Sequence, residues 1–170
     1  VSNIGAVRDS PVNLNGSGVK VAVREIGNIS AHVDFDSRMT RVDNNGSTAT
    51  TEADHATGVT GQIASNGVAR PEAKGIAPAV SVLGYVVGTT DTFATTDIVD
   101  ARNKGVRISN HSYGPQYPSS DPDYFGSYET LSADWDAAIA ANYIEYGRKL
   151  EKLIGAIKLE EKQTVVPGPT

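Results

Sequence analysis

Apolar positions in this 170-residue chain gather into three short runs set between longer polar stretches. Gly18-Val19-Lys20-Val21-Ala22-Val23 is β-branched and short, and it predicts a strand that ends near a glycine turn at Gly27. Ala79 to Val87 is apolar almost throughout, which suits a strand buried on both faces of a parallel sheet. Val106 to Ser112 predicts a third strand. Between them, His55 to Ser65 reads as a helix that stops near Asn66-Gly67, and Thr95 to Lys104 as a second with Gly105 as its C-cap. Asn28 to Phe35 reads as a loop or short helical turn, and Asp43-Asn44-Asn45-Gly46-Ser47 as a turn. Ser132 is placed to cap a helix running to Ala141, after a long loop from Tyr117 to Ser127.

The last stretch has a different pattern. Tyr146, Leu150, Leu153, Ile154 and Ile157 recur at helical spacing, while Arg148, Lys149, Glu151, Lys152 and Lys158 fill the other side. This predicts an amphipathic helix of about five turns that covers a sheet or another helix. Acidic residues among its bases argue against a membrane surface.

Strands alternating with helices imply an α/β fold, a mostly parallel open sheet flanked by helices, with the amphipathic C-terminal helix as an addition. In such sheets ligands sit at the carboxyl ends of the strands. Those ends carry Glu25, the loop after Val87, and Ser112-Tyr113-Gly114, so these groups are expected to converge near His55. The expected organisation is an N-terminal arm (1–12), a main domain (13–142) and a C-terminal helix with a tail (143–170).

Composition narrows the function. Hydrophobic residues make up 39% and charged residues 21%, which allows one folded domain with its own core. The net charge of −5 argues against a nucleic-acid partner, which would want a basic face. No apolar run reaches the length of a membrane span. Cysteine is absent, which removes disulfides, a thiolate nucleophile and cysteine metal sites. An acidic, cysteine-free chain rich in Asn, Gly and Thr fits secretion, although it opens on Val1-Ser2-Asn3 rather than on a basic and then apolar leader.

The stretch Asp54-His55-Ala56-Thr57-Gly58-Val59-Thr60-Gly61 offers the sharpest chemistry. A histidine entering a helix with small residues behind it can hold an imidazole at a cleft; the alternative is a simple helix cap. Its neighbours decide between these. Asn13 to Gly27 resembles the first strand of the subtilisin-like serine peptidases, which ends in an aspartate followed by a small residue and glycine. His55-Ala56-Thr57-Gly58-Val59-Thr60-Gly61 resembles the family's His-Gly-Thr-His-Val-Ala-Gly. Lys74-Gly75-Ile76-Ala77-Pro78 resembles its Gly-Val-Ala-Pro turn, and Ile108 to Gly114 its substrate-pairing segment. The order agrees, with thirty residues from Glu25 to His55 and fifty-seven from His55 to Ser112.

The resemblance covers about Asn13 to Asn142 and implies the N-terminal half of a secreted serine endopeptidase domain. It implies His55 as general base and then acid, an orienting acid at Glu25, and a peptide held along the backbone of Ser112, Tyr113 and Gly114. Substrates would be peptides or proteins. The family often binds calcium, yet no residue set here is specific for it, and no cofactor or metal ligand is assigned. Asp43 to Ser47 lacks the far acidic ligand of a calcium loop, and the family's own pattern accounts for Val33 and Asp34 in His32-Val33-Asp34-Phe35-Asp36 without a metal.

Three departures stand out. The acid is Glu25 rather than aspartate, with Asp34 and Asp36 as alternatives in the next loop. The 170 residues contain no Gly-Thr-Ser, the family's nucleophile motif. After the helix with Trp135 there is no apolar strand ending in Ala-Gly-Asn, whose asparagine serves the oxyanion; removing such a donor costs about 3–4 kcal/mol of transition-state stabilisation. The expectation is a peptidase domain with an incomplete site, inactive as this chain. The alternative is a non-catalytic binding or assembly module built on half a peptidase domain, with the C-terminal helix mediating self-association or covering a partner.

Overall fold

A computed structural model describes residues 4–8, 11–87, 94–114, 127–128, 130 and 132–140. Contacts group the chain into two units, Val1–Tyr124 and Phe125–Thr170. In the second unit, residues 132–140 are helical, and the Tyr128 hydroxyl donates to Asp136 at 2.7 Å. Ser132 lies within that helical stretch rather than before it. All of the expected Tyr117–Ser127 loop except Ser127 lies outside the described residues, as does the amphipathic helix from Tyr146.

The first unit is an α/β sheet with all its strand pairs parallel. Its strands are β1 (Lys20–Glu25), β2 (Met39–Arg41), β3 (Ser81–Val86) and β4 (Ile108–His111), in the order β2-β3-β1-β4. Helices α1 (Gly5–Arg8), α2 (Thr50–Ala64) and α3 (Ala94–Asn103) surround it. The apolar runs thus form the three expected strands, each starting two residues later than expected; β1 runs two residues further, to Glu25, and β3 and β4 each stop one residue early. β2 was not expected; it is a three-residue edge strand with two exposed positions, too short and too polar to carry a periodic signal.

Alternation along β1 sorts its side chains onto two cores. Val21 and Val23 face a cluster with Phe35, Ala56, Ala64, Val80 and Val82, which is the α2 side. Ala22 faces a second cluster with Tyr85, Ala101 and Val106, which is the α3 side. Burial on both faces explains why β3 is apolar nearly throughout.

α2 begins at Thr50, five residues before the expected start, so His55 sits in its second turn and does not cap it. The helix lies close to the sheet because its buried positions, Ala56, Thr60 and Ala64, are small and one turn apart. The Thr60 hydroxyl is satisfied by the Ala56 carbonyl at 2.8 Å.

The loop after β1 is tied to the far end of α2 through Asp34. One carboxylate oxygen accepts the Ala69 N–H at 2.8 Å and the other the Ser65 hydroxyl at 3.0 Å. The Arg38 guanidinium donates to the carbonyls of Asp34 (2.5 Å), Ala64 (3.0 Å) and Val80 (3.2 Å), of which Ala64 is an acceptor left open at the C-terminus of α2. The Ala69 N–H, ahead of the Ser65 hydroxyl and His32, holds the Asp34 carboxyl below its usual pKa, against the opposing effect of burial. A depressed carboxylate stabilises the fold above its unfolded pKa, and that stability is lost as pH falls through the lower folded value. Asp34→Asn is therefore expected to lower the melting temperature at pH 7, with the gap to the parent closing as pH falls below the usual carboxylate range in circular dichroism melts.

Candidate active site

Glu25 is the last residue of β1 and follows Val21 and Val23 onto the α2 face. It is almost fully buried. One carboxylate oxygen, Oε2, lies 3.2 Å from His55 Nδ1, and the other, Oε1, accepts the backbone N–H of Ser112 at 3.0 Å. The Glu25 carbonyl accepts the N–H of Val87 at 2.8 Å. The ends of β1, β3 and β4 therefore meet at this residue, with His55 above it, as the strand-end argument anticipated.

His55 presents about half of its side chain to solvent, whereas its partner carboxylate is 1% exposed. A neutral imidazole that donates from Nδ1 to a carboxylate carries its lone pair on Nε2. An imidazole held in this way by a buried acid, half open to solvent at the strand ends, has the geometry that general-base chemistry needs. The extra methylene of glutamate does not prevent contact. Asp34 and Asp36, the alternative acids, are engaged elsewhere: Asp34 with Ser65 and Ala69, and Asp36 with Arg38 and Asn66.

Ser112 follows β4, and its N–H is held by Glu25. Its hydroxyl accepts from the Asn110 side-chain amide at 2.9 Å. Gly114 is open: a Cβ there would meet nothing within 4 Å, so another backbone has room to approach. The Tyr113 side chain turns to the opposite sheet face, where its hydroxyl meets the Arg24 guanidinium. Strand alternation puts Arg24 on that face, and sequence reasoning missed its partners, Asp97 and Tyr113. The available signal was a basic residue at a strand position flanked by buried neighbours, which demands an acid across the packing.

Burial is the main influence on the Glu25 carboxyl and pushes its pKa up; the Ser112 N–H and then His55 oppose it. The folded protein therefore holds this proton more tightly than the unfolded chain does. Stability from this residue is full at low pH and declines as pH rises through the raised folded value. Glu25→Gln removes that decline: urea midpoints of parent and variant are expected to be closest near pH 4, with the variant relatively more stable at pH 8.

The spacing between acid and base depends on Gly27. A Cβ at this position would stand 2.3 Å from the Glu52 carbonyl carbon and oxygen and 2.6 Å from the Ala53 nitrogen, all backbone atoms of the first turn of α2. Gly27→Ala must push the helix, and His55 with it, away from β1. A loss of about 1–3 kcal/mol in urea denaturation is expected.

A search of curated proteins finds no match to this chain. The profile of the subtilase family matches residues 16–156, running past the Asn142 limit of the motif resemblance. Together with the parallel sheet and the acid–histidine pair at its strand ends, this match assigns the chain: it belongs to the subtilase family of serine peptidases.

Proposed function

We propose that this chain carries the acid–base pair and the peptide-pairing segment of a serine endopeptidase site. The observation that carries the reading is the Glu25 carboxylate, with His55 Nδ1 at 3.2 Å on one oxygen and the Ser112 N–H at 3.0 Å on the other. Glu25 orients the imidazole and stabilises it when charged. His55, through Nε2, takes a proton from a serine hydroxyl as that oxygen attacks the peptide carbonyl. It then returns the proton to the leaving amine. An extended peptide pairs with the backbone from Ser112 to Gly114 by strand addition.

The sequence contains no Gly-Thr-Ser, and Ser112 is committed to Glu25 and Asn110. We therefore read the chain alone as lacking a working nucleophile. Without the nucleophile, acceleration falls by several orders of magnitude. Two measurements test this. A fluorophosphonate probe is expected to leave the chain unlabelled, and labelling that disappears in His55→Ala would overturn the inactive reading. In NMR titration, an extended peptide is expected to shift the amides of Ser112, Tyr113 and Gly114; shifts confined to other regions would overturn the substrate-segment assignment.

A further inference from the structure

The β1–β4 ladder ends at the pair Arg24↔His111, so Ser112 to Gly114 lie beyond the last paired residue. Chain leaving a strand end frays unless something holds it. A segment that must accept a peptide by backbone pairing binds better when it is already extended. The described contacts show that extension continues past the ladder. Ser109 Oγ lies 2.8 Å from His111 Nε2, and His111 Nδ1 lies 3.1 Å from the Tyr113 hydroxyl, with the two rings edge to face. Residues 109, 111 and 113 thus share one face at strand period, while Asn110 and Ser112 are joined on the other.

Arg24 is the group beneath Tyr113. Its side chain is 2% exposed, on the sheet face opposite Glu25. Nε donates to Asp97 of α3 at 2.8 Å, Nη1 donates to the Tyr113 hydroxyl, and the guanidinium carbon lies 5.6 Å from the Tyr113 ring centroid. Packing alone would be served by an apolar residue here, as Ala22 serves two positions earlier. A buried guanidinium is costly unless its donors are met. Its forked geometry lets one side chain hold α3 and Tyr113 together, which a lysine ammonium on a single point cannot reproduce.

We propose that Arg24 is a positioning residue that, through Tyr113, latches the peptide-pairing segment in its extended form. Adjacent residues of β1 grip adjacent residues of the segment from opposite faces: Glu25 takes the Ser112 N–H and Arg24 takes the Tyr113 side chain. The latch rests on the proposed function for its purpose, but its mechanical effect is measurable without any peptide.

Amide hydrogen exchange by NMR reads it. Tyr113→Phe removes only the hydroxyl and is expected to speed exchange of the Ser112 amide at least tenfold, with Val23 and Val82 in the core unchanged. Arg24→Met is expected to do the same, Arg24→Lys not to restore protection, and the double variant to add nothing further. Unchanged exchange at Ser112 in folded Tyr113→Phe would overturn the latch, as would equal acceleration at Val23 and Val82, which marks a general loss of stability. Where the parent binds an extended peptide, Tyr113→Phe is expected to weaken it about tenfold, and undiminished affinity would overturn the latch. A parent that binds no peptide defeats the substrate-segment reading, and the exchange result then judges the latch on its own.

Discussion

A single buried carboxylate organises this half of the sheet. Glu25 is removed from water at the end of β1, where an unsatisfied charge would be prohibitive. Its two side-chain oxygens and its carbonyl draw in His55 from α2, Ser112 from the segment after β4, and Val87 from the end of β3. Each partner comes from a different part of the chain: His55 and Ser112 meet the carboxylate oxygens and Val87 the backbone carbonyl, so three segments are tied to one residue. The raised pKa of this group measures the same conflict: burial disfavours the anion, and the Ser112 N–H and His55 recover part of the loss.

The alternation of β1 converts a one-residue step into two chemistries. Val21, Val23 and Glu25 project towards α2, and Ala22 and Arg24 towards α3. At the end of the strand the pattern leaves an acid on one face and a base on the other, each too buried to stand without a partner. The acid finds a histidine and a backbone N–H; the guanidinium finds Asp97 and Tyr113. A shift of register by one residue would exchange these faces and dissolve both sets of contacts.

Local pattern made some of this legible and concealed the rest. Strands β1 and β3 announce themselves because they bury apolar side chains in contiguous runs, whereas β4 leaves Ile108 exposed and α3 is marked by the glycine, Gly105, that follows it. The early start of α2 does not announce itself, since Thr50-Thr51-Glu52-Ala53-Asp54 carries no apolar stripe and its first turn lies backbone against backbone on Gly27. The pairing of Glu25 with His55 could be anticipated because motif order and strand-end geometry agree. The links from Arg24 to Asp97 and Tyr113 could not, because they join positions seventy-three and eighty-nine residues apart through packing that the sequence does not display.

Glutamate at the acid position changes how the site is controlled. An aspartate's carboxylate is one bond from Cβ, so the strand backbone largely fixes where it lies. Glutamate adds a rotatable bond, and its carboxylate must be fixed by what it accepts. Here one of those donors is the N–H of Ser112, the first residue of the segment proposed to pair with peptide. Orientation of His55 and the conformation of that segment are consequently two ends of one contact. A peptide paired along Ser112 to Gly114, as proposed above, would hold the Ser112 N–H on the carboxylate and thereby steady the imidazole on its other oxygen.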